Sequence, residues 1–308
     1  MMSEHIYKTH QVYPQEVVIP KEDWLESSQT LHNLRKHKKF PTIWCAGCGI
    51  GVVMGALIRA IDHLKLNNDQ VALISGIGCT GWMPVYMDYN TLHTTHGRAL
   101  AFGTGLKVAR PDLKVIAIMG DGDALAIGGN HFIHAARRNI GITAIIVNNS
   151  IYGMTGGQYS PTTPIGDLTA TSRYGNIEPS FPITDLAIAA GATYVARSTA
   201  FHALELDKYI RDAIDREGFS VVEAISYCHT THGRINRKGT AAEMMRSLRE
   251  NSISIRTYNR LPEEEKAANT KTIRGVLHTN DKRVEYTQLY DKIITRARGN
   301  EQNGNGKA

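Results

Sequence analysis

The chain has 308 residues, 42% of them hydrophobic, with 35 Lys and Arg against 29 Asp and Glu for a formal net charge of +6. That is enough apolar material for one large α/β domain or two closely fused ones, which excludes a disordered chain. The positive charge is scattered apart from residues 34–39 and is not interleaved with aromatics, so no nucleic acid is expected; no stretch approaches the ~20 apolar residues that cross a bilayer, so no membrane is expected either.

Residues 1–40 are polar and punctuated by Pro14 and Pro20, and read as an N-terminal arm lying over another surface. From Pro41 the texture changes. Apolar periodicity predicts a helix over 50–64, a strand over 71–75, a helix over 98–109, a strand over 114–119, a helix over 127–138 and a strand over 143–147. After Asn149 about thirty residues rich in Gly, Thr, Pro and Ser follow, a loop long enough to suggest function. Beyond it come a helix over 183–190, a strand near 193–197, a helix over 203–216 and a strand ending at Ser226. This alternation predicts an α/β fold with a doubly wound, mostly parallel sheet over residues 41–230. Residues 231–308 read as a C-terminal helical extension with a disordered tail.

The four cysteines form the first chemical signal: Cys45 and Cys48 in a Cys-x-x-Cys pair before a helix, Cys79 after a strand and a Gly-Ile-Gly turn, and Cys228 after the last core strand. Thiolates from separate segments converging on one point suit an iron-sulfur cluster or a structural zinc. A redox pair at Cys45 and Cys48, or small buried hydrophobes at Cys79 and Cys228, are the alternatives. Free thiols point to a reducing compartment, and the protein is expected to be cytoplasmic.

The second signal is Gly120-Asp121-Gly122 directly after a strand, with Asn148-Asn149 ending the next one. A parallel β-α-β unit sets its two strand ends side by side, so Asp121 and Asn149 can face one another in the crevice and share a hard divalent ion such as Mg2+. Gly120 and Gly122 would let the backbone approach a diphosphate, with Gly128-Gly129 allowing close approach further along. His93, His96 and Arg98 follow Cys79 in a loop that should reach the same crevice and could hold substrate carboxylates as catalytic residues. Thr155 and Gln158, in the Gly-rich loop, are candidates for touching diphosphate or substrate, whereas Lys107 reads as a helix-end charge.

Together these residues resemble a known family. Gly120-Asp121-Gly122 with Asn148-Asn149 is similar to the thiamine diphosphate signature, and the cysteine set resembles that of the beta subunit of 2-oxoacid:ferredoxin oxidoreductases. Trp44 to Gly49, Ser75 to Cys79, His96 to Ala99, Ile127 to His131 and Tyr152 to Gln158 carry the likeness further, over roughly residues 41–230, and it is greatest to the 2-oxoglutarate type. The resemblance implies a thiamine diphosphate-binding fold in which Cys48, Gly120, Gly122, Asp123, Asn149 and Thr155 bind cofactor. Asp121, Asn149 and the Ile151 carbonyl would hold Mg2+, and Cys45, Cys48, Cys79 and Cys228 one [4Fe-4S] cluster.

It also implies CoA-dependent oxidative decarboxylation of 2-oxoglutarate to succinyl-CoA and CO2 with reduction of ferredoxin, or the reverse carboxylation of a reductive tricarboxylic acid cycle. Pyruvate, a branched-chain 2-oxoacid, or non-oxidative decarboxylation with structural zinc are the alternatives. Because the glutamate that activates the aminopyrimidine is supplied in that family by an alpha subunit, the resemblance implies a heteromer, a dimer of alpha-beta heterodimers. The arm and the residue 235–300 region would then be candidate partner surfaces.

Overall fold

The computed structural model describes residues 33–35 and 41–304. Its centre is an eight-stranded sheet. In chain order the strands are β1 (Val71–Ser75), β2 (Asn90–His93), β3 (Lys114–Gly120), β4 (Ile142–Asn148), β5 (Tyr194–Thr199), β6 (Ser220–Ile225), β7 (Ser252–Ser254) and β8 (Thr272–Thr279). They lie in the order β2-β1-β3-β4-β6-β5-β8-β7, all pairs parallel except β5 with β8.

The two-residue side-chain period of a strand divides the core into two layers. Ile116, Ile118, Ile145 and Val147 face one layer, packed against α1 (Ile50–His63) and α7 (Ala203–Asp215). Val115, Ala117, Met119, Ala144 and Ile146 face the other, against α3 (Ala99–Ala109), α5 (Gly129–Arg138) and α6 (Ile183–Ala190). Covering both faces is what a parallel sheet of near-continuous apolar strands requires, so the doubly wound, mostly parallel architecture expected from the sequence is the one found.

Where the helical pattern over 127–138 predicted one element, there are two. A short α4 (Asp121–Leu125) follows β3 directly, and α5 begins at Gly129. Gly128 allows the junction, since a Cβ there would lie 2.2 Å from the Asp123 carbonyl oxygen. Two short elements between β1 and α3, β2 and α2 (Met83–Tyr86), went unpredicted: β2 is exposed along its length and has no apolar alternation to read.

Residues 231–304 are not only helical. Besides α8 (Ala241–Glu250), α9 (Ile255–Tyr258), α10 (Glu263–Ala267) and α11 (Tyr286–Gly304), they supply β7 and β8, and β8 extends the main sheet. The final residues, expected to be disordered, lie outside the described residues, as does most of the arm. The described part of the arm packs on this chain itself: Leu34 bridges to Met87, and Arg35 donates to the Met87 carbonyl at 2.9 Å and to Thr91 Oγ1 at 2.7 Å. No helix among the described residues is long and apolar enough to cross a membrane.

Asn139 ties this architecture together. It ends α5 in the left-handed region at φ 56° and is 1% exposed. Its Oδ1 accepts from the Phe219 N–H at 2.8 Å, before β6, and its Nδ2 donates to the Val284 carbonyl at 3.1 Å, before α11. Asn139→Gly keeps the backbone conformation but leaves these buried groups unpaired, a loss of about 1–3 kcal/mol. Asn139→Ala adds a left-handed penalty of about 1 kcal/mol. Thermal melts of the three proteins should rank wild type, then Gly, then Ala.

Candidate active site

Parallel pairing brings the C-terminal ends of β1, β3, β4 and β6 to one edge of the sheet, and the strand order reverses about β1. Ligand crevices of open α/β sheets form at such a point. A cavity of about 150 Å3 lies here, lined by Gly78, Cys79, Gly120, Asp121, Asn149 and Tyr152 among others.

Asp121 is 2% exposed. Burial pushes its carboxyl up from the ordinary value, opposed by hydrogen bonds from Ser160 and Thr162. Both hydroxyls reach Asp121 Oδ2 at 2.5 Å. On its other side, the Asn149 amide stands 2.9 Å from the Ile151 carbonyl oxygen and 3.3 Å from Asp121 Oδ1. With its nitrogen towards them, the amide donates to both. With its oxygen towards them, that oxygen stands 2.9 and 3.3 Å from the other two. Adjacent ligands of an octahedral Mg2+ at ~2.1 Å stand about 3 Å apart, so these two spacings are ones that residues sharing such an ion could adopt.

The glycines of the turn do different work. A Cβ on Gly78 (φ +125°) would meet no protein atom within 4 Å, and one on Gly120 only Thr80 Oγ1 at 3.7 Å, so the missing side chains keep the cavity open. Gly122 instead makes room for the protein: a Cβ there would lie 2.3 Å from the Tyr152 ring, whose hydroxyl donates to the Gly122 carbonyl at 3.1 Å.

Asp123 lines the cavity, but its carboxylate is engaged by the chain's own loops. Oδ1 accepts from His96 Nδ1 at 2.5 Å and from the Gly97 N–H at 2.6 Å, while Oδ2 is buried without a partner. Burial raises its carboxyl, and the Gly97 N–H and His96 lower it. Two residues along a helix rotate a side chain by about 200°, so Asp121 and Asp123 address opposite sides.

Of the three candidate catalytic residues, His96 lines the cavity. His93 is bound to Ser75 Oγ at 3.0 Å; since that hydroxyl gives its proton to the Gly81 carbonyl, His93 Nδ1 is the donor. Arg98 Nη1 donates to the Ile127 carbonyl at 3.1 Å. Neither His93 nor Arg98 is among the residues lining the cavity. Thr155 lines it, and its hydroxyl donates to Gln158 Oε1 at 2.6 Å, a turn-closing contact. Lys107 Nζ binds the Pro111 and Leu113 carbonyls, at the opposite end of β3.

The four cysteines line a second cavity, of about 260 Å3. Cys48 and Cys45 precede α1 as expected, with the Cys48 N–H bonded to the Cys45 carbonyl at 2.9 Å. The Trp44 indole donates to the Cys79 carbonyl at 2.7 Å and the Tyr227 hydroxyl to the Gly47 carbonyl at 2.8 Å, clamping both loops. A tetrahedral zinc at ~2.3 Å from each sulfur would draw the sulfurs to within about 4 Å of one another. Among the described residues no three of His, Cys, Asp or Glu are gathered so as to hold a single metal ion. The four thiols stand around one common space.

Cys79, Asn149, Gly153 and Met154 line both cavities. Gly153 keeps that wall thin, since its Cβ would come within 3.4 Å of Cys228 Sγ and 3.9 Å of Cys79 Sγ. Ser160 and Thr162 are site residues that the sequence did not single out, and Tyr152 and Met154 entered only within a stretch that carries the likeness; the signal available was their position in the long Gly- and Thr-rich loop after Asn149.

Burial, foremost, pushes the Cys48 thiol up to about 11, while Cys45 is exposed. With the metal-free chain, iodoacetamide should therefore label Cys48 slowest below pH 10, its rate rising roughly tenfold per pH unit as the thiolate fraction grows. Site-resolved mass spectrometry checks this.

A family model, the thiamine pyrophosphate enzyme C-terminal TPP-binding domain, matches residues 76–224. The 2-oxoglutarate synthase subunit KorB of Archaeoglobus fulgidus is 56% identical over 211 residues, 68% of this chain and 77% of that protein. The same subunit of Methanocaldococcus jannaschii is 46% identical over 259 residues, 84% of this chain and 95% of that protein. Among solved structures, the 2-oxoglutarate:ferredoxin oxidoreductase from Magnetococcus marinus with 2-oxoglutarate, coenzyme A and succinyl-CoA bound aligns with a TM-score of 0.77 at 32% identity, over 92% of this chain and 97% of that one. With 56% and 46% identity over 77% and 95% of these two subunits, the chain belongs to the beta subunits of the 2-oxoacid:ferredoxin oxidoreductases, in the KorB family of 2-oxoglutarate synthase subunits.

Proposed function

We propose that this chain is the beta subunit through which a 2-oxoglutarate:ferredoxin oxidoreductase binds thiamine diphosphate and passes electrons to an iron-sulfur cluster, converting 2-oxoglutarate, CoA and oxidised ferredoxin to succinyl-CoA, CO2 and reduced ferredoxin, or the reverse. The observation that carries this reading is the shared wall: Cys79, Asn149, Gly153 and Met154 border both the Asp121 cavity and the four-cysteine cavity. When bound, thiamine diphosphate supplies a site that stabilises the carbanion left as a 2-oxoacid loses CO2, and a [4Fe-4S] cluster takes up electrons singly. Such chemistry needs the two groups side by side.

In this reading Asp121, Asn149 and the Ile151 carbonyl hold Mg2+, while Ser160 and Thr162 fix the Asp121 carboxylate. Gly78 and Gly120 leave space for the diphosphate. Cys45, Cys48, Cys79 and Cys228 hold the cluster. His96, fixed through Nδ1 by Asp123, offers its Nε2 to substrate. His93 and Arg98 serve the same loop from behind rather than touching substrate. An alpha subunit supplies the glutamate for the aminopyrimidine, in a dimer of alpha-beta heterodimers, and ferredoxin is the electron acceptor. The 2-oxoglutarate preference is supported by the names of the most similar relatives.

The test is anaerobic purification with the co-expressed partner subunit, followed by iron analysis and EPR. About four irons per chain are expected. The cluster should be reduced when 2-oxoglutarate, thiamine diphosphate, Mg2+ and CoA are added, and stay oxidised without the 2-oxoacid. Zinc in place of iron, or a cluster indifferent to every 2-oxoacid, overturns the reading.

The cradle makes a separate prediction. Gly122→Ala should destabilise the cofactor-free complex by about 1–3 kcal/mol through the clash with Tyr152. Gly120→Ala should change that stability by less than about 0.5 kcal/mol, as a surface-like substitution would. It should nevertheless weaken thiamine diphosphate binding at least about tenfold, a change of roughly 1.4 kcal/mol in binding free energy. Calorimetric titration that finds undiminished affinity in Gly120→Ala removes the diphosphate from that position.

A further inference from the structure

Among the side chains lining the cysteine cavity, hydroxyl and amide hydrogens are scarce. The Trp44 indole N–H is held by the Cys79 carbonyl and the Tyr227 hydroxyl by the Gly47 carbonyl. Ile43, Ile50 and Met154 carry no polar hydrogen, and Asn149 faces the neighbouring Asp121 and Ile151 oxygens. The His229 imidazole and the Thr230 hydroxyl remain, and of the two it is Thr230 that has sulfur partners. Its Oγ1 stands 3.4 Å from Cys45 Sγ and 3.7 Å from Cys228 Sγ, and these sulfur contacts are its hydrogen-bonding environment in the structure.

Local backbone structure fixes that placement. Cys228 is followed by a single π-helical turn, His229–Gly233, closed by the Gly233 N–H bonding to the Cys228 carbonyl at 2.8 Å. Such wide turns are rare and frequent at functional sites. Gly233 in turn packs closely against α8: a Cβ there would lie 2.4 Å from the Met244 sulfur. Thr230 is thereby held over two sulfurs that come from widely separated segments of the chain.

We infer that Thr230 sets the reduction potential of the proposed cluster, donating its hydroxyl hydrogen to the sulfur of Cys45 and alternately to that of Cys228. The inference rests on the function proposed above, since it needs a cluster at these cysteines. Reduction adds one electron to the cluster, drawn from the 2-oxoacid in turnover or from dithionite in a titration, and no proton or bond changes hands at Thr230. The added negative charge is shared by the ligating sulfurs. A donor aimed at them stabilises the reduced state more than the oxidised one and raises the potential. Thr230 is thus a positioning and tuning residue, not one that touches substrate.

The experiment is an EPR-monitored redox titration, with dithionite and mediators, of the anaerobically purified complex carrying wild-type, Thr230→Ser or Thr230→Val chains, each assayed for iron. Thr230→Val keeps the shape and removes the hydroxyl; its midpoint should move to a more negative potential with iron content unchanged. Thr230→Ser keeps the hydroxyl and should titrate close to wild type. A Val variant with full iron and a wild-type midpoint overturns the inference. So does loss of the cluster from both Thr230→Val and a second variant, Thr230→Ala, which would make Thr230 a requirement for assembly. Absence of iron from the wild-type complex would instead refute the function on which the inference rests, and is read before any variant is compared.

Discussion

The site depends on the register of β3 against β4. Gly120 pairs with Val147, so the first residue beyond β3 and the last residues of β4 emerge together at the same edge of the sheet. A slip of β3 by one residue would turn Ile116 and Ile118 from one core layer to the other, away from Ile145 and Val147, and separate Asp121 from Asn149 by the same act. The apolar packing that specifies the fold therefore also specifies the distance between two polar residues that take no part in that packing. The flanking pairs extend the constraint: β1 beside β3 places Cys79, and β6 beside β4 places Cys228.

Polar groups behind that edge form one connected set. Thr162 Oγ1 lies 2.5 Å from Asp121 Oδ2 and 2.9 Å from Asn148 Oδ1; Asn148 Nδ2 donates to Glu223 Oε1 at 2.9 Å; Arg197 Nε reaches Glu223 Oε2 at 2.6 Å. Glu223 is 3% exposed in the middle of β6, where an unpaired carboxylate would be strongly destabilising, and Arg197 and Asn148 together offset that cost. At the Asp121 end the balance turns on the Asn149 amide, which faces Asp121 Oδ1 and the Ile151 carbonyl. With its nitrogen towards them it donates to both; with its oxygen towards them the acceptors are in surplus, a surplus that a cation such as the proposed Mg2+ relieves.

The sequence made the sheet and the chemistry at its edge legible because both are local patterns. Val71 to Ser75, Lys114 to Met119 and the helix from Ile50 announce themselves by periodicity, and Asp121, Asn149 and the cysteines by residue type at strand ends. What was not legible is what depends on contacts distant in sequence. Asp123 looks like Asp121 in the string, yet helix rotation turns it to His96 and Gly97. Ser160 and Thr162 reach Asp121 across about forty residues, and nothing in Ser-Pro-Thr-Thr-Pro marks them as carboxylate partners. β8 was missed for a related reason: Thr272–Thr279 carries Arg274, Gly275 and His278, a composition that reads as loop until β5 supplies an antiparallel neighbour.

The arrangement of the cysteines gives the proposed electron path a direction. Cys79 lies in the wall shared with the Asp121 cavity, half-buried and with its thiol raised first by burial, whereas Cys45 is the exposed member of the set. A group bound by all four therefore has one corner against the site where a 2-oxoacid would be oxidised and another towards solvent, where a protein acceptor can approach. Thr230 stands at the solvent corner, beside Cys45. A hydrogen-bond donor shared by Cys45 and Cys228 favours negative charge on those two sulfurs rather than on Cys79, in keeping with an electron that leaves past the exposed Cys45.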